Sequence, residues 1–136
     1  ILASEAAVKR FGLKPLARLV SYASHAQAPE WFTTAPAPSM QKALDRAGWK
    51  VAEVDLFEIN EAFACVAMAA MRDLGLRHDQ VNVNGGACAM GHPVGATGAR
   101  IITTLLHLMK AKDKSTGVAT MCIGFGQGVA TVFERA

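Results

Sequence analysis

The sequence predicts a layered α/β/α domain, a mixed five-stranded sheet with helices on its faces, and three observations carry that expectation. Strand-like apolar runs alternate with helix-patterned segments in the order βαβαβαββ. The composition is that of a packed globular chain, 51% hydrophobic and 18% charged over 136 residues, long enough for one core and too short for two. Polar or reactive residues also stand at the ends of three strands, just before a turn or helix, where ligands of α/β sheets gather.

The chain opens at Ile1, without methionine, inside an expected helix that runs through Ser4 and Arg10 and is capped by Gly12. It reads as cut from something longer, with any address signal upstream. Leu16 to Ala23 has the mixed apolar and small-polar character of a half-buried first strand. Residues 25–38 hold Pro29, Pro36 and Pro38 around Trp31 and Phe32, which argues for a loop over the core. Ser39 then resembles an N-cap, for a helix from Met40 to Ala47 stopped by Gly48. Leu56 to Ile59 is a short apolar strand ended by Asn60-Glu61. Ala62 to Leu74 is apolar nearly all round and predicts a buried helix ended by Gly75. Val81 to Asn84 predicts a third strand, followed by a long glycine-rich loop. A helix from Ala96 to Ala111 repeats Ile101, Leu105 and Leu108 at helical spacing. Val118 to Ile123 and Val129 to Phe133 predict a closing hairpin around Gly124-Phe125-Gly126-Gln127-Gly128.

Several function classes are disfavoured. Net charge is +3, and the basic residues are scattered between Lys9 and Arg135, so nothing argues for nucleic acid, although a small anionic ligand fits. No apolar stretch is long enough to span a membrane, and the first residues lack signal-peptide features. Cys65, Cys88 and Cys122 are an odd set in apolar surroundings, which fits reduced thiols in a cytoplasmic compartment. Cys88 and His92 begin no zinc site, because no second ligand pair follows. Neither P-loop spacing nor a dinucleotide fingerprint follows a strand.

Cys122 is the leading candidate for chemistry. It ends an apolar β-branched run and is followed by glycines, which leave room for a substrate and let backbone N–H groups face a developing negative charge. His92, in Gly91-His92-Pro93, pairs with it as an imidazole beside a thiol, and Asn60 is the third strand-end residue. If the strands are parallel, the three converge on one edge of the sheet. Each also has an ordinary reading: a core thiol, a turn-capping histidine, and an Asx turn opening a helix. Cys65, inside the alanine-rich helix, reads as a core residue, and Cys88 as loop packing.

Three blocks in order, Asn60-Glu61-Ala62-Phe63, then Asn82-x-x-Gly85-Gly86 through Gly91-His92-Pro93-x-Gly95-x-Thr97-Gly98, then Cys122-Ile123-Gly124-x-Gly126-x-Gly128, resemble the C-terminal signatures of the thiolases. These are acetyl-CoA acetyltransferases and 3-ketoacyl-CoA thiolases, and the resemblance spans nearly the whole chain. It implies a thiolase C-terminal half over residues 15–136, with residues 1–14 as the last helix of the N-terminal half. It implies Claisen condensation of two acyl-CoA molecules, or the reverse thiolysis of a 3-ketoacyl-CoA, with coenzyme A thioesters as substrates and no metal or redox cofactor. By the same resemblance, Cys122 matches the acid/base cysteine, a proton carrier expected to titrate near the working pH. His92 matches the histidine that activates the nucleophile and lines an oxyanion hole, Asn60 the asparagine holding a water there, and Gly124 a backbone donor of a second oxyanion hole. Cys88 replaces a usual aliphatic residue, and Phe125 a common glycine, where it is expected to narrow the acyl pocket. The nucleophilic cysteine and most coenzyme A contacts are implied upstream, so the implied partners are acyl-CoA, coenzyme A, an N-terminal half, and further copies in a homodimer or homotetramer. The other reading kept open is a non-catalytic thiolase-like module that binds acyl-CoA or docks a partner.

Overall fold

The computed structural model describes residues 1–136. α1 (Glu5–Phe11) is capped by the Ser4 hydroxyl and ended by Gly12 in a left-handed conformation, and it buries none of its residues. β1 (Ala17–Ala26) leads into a 3₁₀ turn, Pro29–Thr34, and then into α2 (Pro36–Ala47). Ser39 is therefore not the N-cap that the sequence suggested. Pro36 occupies the first position of α2, where its missing N–H leaves nothing unpaired and its fixed φ suits a helix. The Ser39 hydroxyl instead donates to the carbonyl of Ala35 at 2.8 Å.

β2 (Leu56–Ile59) and α3 (Ala64–Leu74) follow. A short helix, α4 (Ala87–Met90), lies inside the expected glycine-rich loop, and α5 (Thr97–Ala111) comes next. β3 (Thr116–Ile123) and β4 (Gln127–Arg135) form the expected antiparallel hairpin. The sheet has the order β1-β4-β3-β2 and is mixed, with only β2 and β3 parallel. Gly128 is required at the start of β4, because a Cβ there would come within 2.6 Å of the Ala35 carbonyl oxygen. The close approach of β4 to the entry of α2 depends on that missing atom.

The helices sit on opposite faces, as the layered reading requires. Phe57, Ile59, Val118, Ala130 and Val132 pack with Met40 and Leu44 of α2 and with Val66, Ala67 and Ala70 of α3. Leu56, Ala119 and Phe133 pack on the other face with Ile101, Leu105, Leu108 and Met109 of α5. β2 is buried on both faces, the usual state of a parallel strand between helical layers.

Two further expectations are corrected. The sheet has four strands rather than five, because Val81 to Asn84 contributes only an isolated parallel bridge, Val81 to Phe57. Asn82 turns the chain away with φ of 46°, a conformation asparagine tolerates better than most residues. Its side chain does the strand's work instead: Oδ1 accepts from the Ile59 N–H at 2.8 Å, and Nδ2 donates to the Ile59 carbonyl at 2.8 Å. The second correction concerns α3, which is not interior to this chain. Val66, Ala67 and Ala70 are its buried residues, while Cys65 and Met68 on the helix and Phe63 just before it are exposed. Cys65 is thus no core residue here.

Asn82→Ala would leave both backbone groups of Ile59 without their outer partners. It should lower unfolding stability by about 2 kcal/mol, read as a shifted urea midpoint with an unchanged slope.

Candidate functional site

The site forms where β2 ends. Strand alternation sends Phe57 and Ile59 toward α2 and α3, and Glu58 and Asn60 toward α5. The Asn60 N–H donates to the Thr120 carbonyl of β3 at 2.9 Å, and the residue is 1% exposed. The carboxyl ends of β2 and β3 are therefore locked side by side, as the parallel reading expected.

Around Asn60 runs a directed chain of hydrogen bonds. Arg100 Nη2 donates to Asn60 Oδ1 at 3.0 Å, and Asn60 Nδ2 faces His92 Nε2 at 3.5 Å. His92 Nδ1 lies 2.9 Å from Thr97 Oγ1, which itself donates to the Pro93 carbonyl at 3.2 Å. A guanidinium can only donate, so Asn60 turns its oxygen to Arg100 and its N–H to the imidazole. His92 Nε2 must then accept. The Thr97 proton is engaged by Pro93, so the imidazole proton sits on Nδ1 and is donated to Thr97 Oγ1. These bonds place the His92 ring proton on Nδ1 and its lone pair on Nε2, on an exposed ring.

The loop bearing His92 is braced by Glu61. Its Oε1 accepts from Asn82 Nδ2 at 3.1 Å and its Oε2 from the Cys88 N–H at 3.0 Å. A Cβ on Gly86 would sit on this carboxylate, which explains the glycine. Burial opposes ionisation of Glu61, but the Cys88 N–H, the Asn82 amide, the Cys88 thiol and Arg100 together hold its carboxyl below the ordinary value. Cys88 is exposed, and its thiol is pushed up by desolvation and by this carboxylate.

Cys122 is half-buried near the end of β3, opposite Gly128, and packs toward the α2 and α3 face. Burial pushes its thiol up, the Cys65 thiol adds to this, and its own backbone N–H partly offsets it. The resting group is therefore a protonated thiol, not one poised near neutral pH. Asn60 and His92 stand on the α5 side, and no hydrogen bond joins Cys122 to either. The structure thus brings Asn60 into contact with His92 and sets Cys122 on the adjacent strand end. Gly124 follows in the hairpin turn, with nothing within 4 Å of where a Cβ would lie, so the space before it is open. Phe125 has φ of 65° and is 88% exposed, so it narrows no pocket within this chain. The positive φ gives a physical reason for a glycine at that position.

A cavity of about 540 Å³ between Val51, Asp55, Leu76, Arg77 and Lys114 lies at the opposite end of β2 and shares no residue with the site. The sequence reading passed over Arg100, Glu58 and the bracing role of Glu61. Arg100 stands one helical turn after Thr97 on α5, a spacing that places both on one face. Glu58 is a carboxylate in a four-residue apolar strand, 1% exposed, and burial pushes its carboxyl up to about 7 against the pull of Arg100, with Glu61 adding to the rise.

Comparison with known proteins completes the description. Residues 13–135 match the family model described as "Thiolase, C-terminal domain". The chain is 53% identical over 135 residues to an acetyl-CoA acetyltransferase of Escherichia coli, covering 99% of this chain and 34% of that protein. It is 51% identical over 138 residues to a 3-ketoacyl-CoA thiolase of Yersinia pestis, covering 99% of this chain and 36% of that protein. The crystal structure of the Bacillus anthracis acetyl-CoA acetyltransferase superposes with a TM-score of 0.95 at 42% identity, over 98% of this chain and 34% of the other. The chain spans about a third of the length of these relatives. No helix is long and apolar enough to cross a membrane.

Glu58 sets a pH response of stability. Its carboxyl titrates at about 7 when folded and near 4.5 when unfolded. The folded chain therefore holds the extra proton between those values. This contribution to stability is complete below pH 4.5 and is lost as pH rises through 7, by up to about 3 kcal/mol. Glu58→Gln should match the wild type below pH 5 and exceed it above pH 8 in urea denaturation. An identical pH response in both proteins would remove this assignment.

Proposed function

The chain belongs to the thiolase family, whose C-terminal domain it forms, and from that premise we propose that it supplies the proton-transfer half of an acyl-CoA acyltransferase centre. The reaction is Claisen condensation of two acyl-CoA molecules, such as two acetyl-CoA to acetoacetyl-CoA, or its reverse. Acyl transfer between thiols changes no oxidation state, so no redox cofactor enters the proposal. The observation that carries it is the hydrogen-bonded orientation of His92, which sets its Nε2 lone pair beside the Asn60 amide.

The proposed steps make use of that arrangement. An upstream cysteine gives its proton to His92 Nε2, and the thiolate attacks the thioester carbon. The Nε2–H so formed, with a water held by Asn60, faces the developing oxyanion. Coenzyme A leaves as a thiolate and the acyl group stays on the enzyme. The Cys122 thiol then gives its proton to the departing thiolate, and the Cys122 thiolate so formed removes the α-proton of the second acyl-CoA. In thiolysis the protonated Cys122 returns that proton to carbon. The Gly124 N–H serves the second oxyanion, and the open space in front of it fits that use.

The rest of the proposal concerns assembly. Residues 1–14, including an α1 that buries nothing, are assigned to the upstream domain. That domain carries the nucleophile and most coenzyme A contacts, and it covers the exposed Phe63 and Met68 side of α3. The intact protein is proposed to form a homodimer or homotetramer. Three free thiols suit a reducing compartment such as the cytoplasm, and fatty-acid or ketoacyl metabolism as the setting.

The test is acetoacetyl-CoA thiolysis by the intact protein, followed as loss of enolate absorbance. Cys122→Ser should lower turnover by about 100-fold or more while the acyl-enzyme still forms, and near-normal thiolysis would sink the assigned role. His92→Ala should instead abolish the acyl adduct in a mass spectrum.

A further inference from the structure

We propose that Arg100 is a positioning residue that sets which way the Asn60 amide points and hence which nitrogen of His92 is the base. This inference rests on the acyltransferase reading above and names residues to which that reading gives no part.

The argument begins with a symmetry problem. A primary amide presents an oxygen and an NH₂ of nearly equal size, so packing alone does not choose between two orientations related by a half-turn. The choice matters because Asn60 contacts the imidazole at Nε2. With NH₂ toward the ring, Nε2 must accept and carries the lone pair. With oxygen toward the ring, Nε2 is drawn into donating, and the base moves to Nδ1, which is turned inward against Thr97. A donor-only group on the far side of Asn60 decides the matter, and Arg100 Nη2, 3.0 Å from Asn60 Oδ1, is that group. A hydroxyl or a second amide there could not, since either can donate or accept.

The rest of the guanidinium is buried, and a buried carboxyl lies within its field. Its Nε and Nη1 are buried and have no hydrogen-bond partner, and Glu58 Oε1 is likewise buried and unpartnered. Glu58 is 1% exposed and lies on the α5-facing side of β2, two residues before Asn60. The charged groups acting on Glu58 are Arg100 and Glu61. Arg100 thus donates to the Asn60 oxygen through Nη2 and acts on the Glu58 carboxyl through its charge alone, with no hydrogen bond between the two side chains. The one side-chain hydrogen bond of Arg100 is the one to Asn60, and Glu58 makes none.

The test is a double-mutant cycle in the intact protein, with wild-type thiolysis of acetoacetyl-CoA measured first. Absence of wild-type turnover would count against the acyltransferase reading itself. Given an active wild type, Arg100→Met should lower kcat about 10- to 100-fold with KM unchanged within about threefold, because in this proposal Arg100 acts only through Asn60. In an Asn60→Ala background the same substitution should change kcat by less than about twofold. The ¹⁵N spectrum of His92 should show an unprotonated Nε2 in the wild type and a mixture of tautomers in Arg100→Met. If Arg100→Met does not fold, Arg100→Lys, which keeps a positive charge opposite Glu58 but not the planar fork, is taken through the same cycle. An equal loss of kcat in both backgrounds, or an unchanged tautomer, would overturn the proposal.

Discussion

Ile59 completes its outer backbone hydrogen bonds with a side chain rather than with another strand, and the position of the site depends on that substitution. The Asn82 amide offers one donor and one acceptor at the spacing of a peptide group, so β2 is closed at its last residue while the main chain is free to leave. A continuing strand would carry residues 83–86 alongside Asn60 and shut the end of the sheet. The chain instead turns through Asn82 and Gly85, both with positive φ, and lays α4 and His92 across the carboxyl end of β2. Glu61 ties the two arms of this detour together by bonding both Asn82 and the Cys88 N–H. One carboxylate thus fixes the strand end and the loop that faces it.

Within this frame, direction matters more than strength. The bonds that run from Arg100 through Asn60, His92 and Thr97 to the Pro93 carbonyl are each of ordinary length or long. Their common property is that every donor and acceptor is assigned by a neighbour that has no alternative: a guanidinium at one end and a backbone carbonyl at the other. The imidazole between them then has a single resting tautomer. The contact at 3.5 Å between Asn60 and His92 is the weakest link, and it lies where a substrate oxygen or a water would compete for the same N–H.

The parts of this fold legible in the sequence are those whose signals are local. Gly12, Gly48 and Gly75 stop their helices in the left-handed conformation expected of a glycine cap. The α5 repeat of Ile101, Leu105 and Leu108 buries the expected face, and the hairpin of β3 and β4 forms around the expected turn. The start of α2 was misread because Ser39 carries an N-cap signal and Pro36 carries a helix-start signal, and the fixed φ of proline prevailed. Val81 to Asn84 misled because alternation describes a strand even when an asparagine side chain takes over the pairing. The blocks around Asn60, His92, Cys122 and Gly124 were legible as motifs, whereas Arg100 and Glu58 were not. Their meaning lies in a contact between β2 and α5 across 40 residues of chain.

The α3 region is a different kind of discrepancy. A helix apolar on all sides is the pattern of an element covered on all sides, yet this chain covers only the Val66, Ala67 and Ala70 stripe. The period and the helix are as expected, and the missing part is the cover. Phe63, Met68 and Cys65 stand in water on the same side of the sheet to which Cys122 turns. Any surface laid over them removes water from Cys65 and Cys122 together, and desolvation moves a thiol in one direction only, upward. A lower value for Cys122 in an assembled enzyme must therefore come from N–H donors or positive charge that the cover itself brings. The protonation state of that thiol thus belongs to the assembly, whereas the tautomer of His92 belongs to this chain.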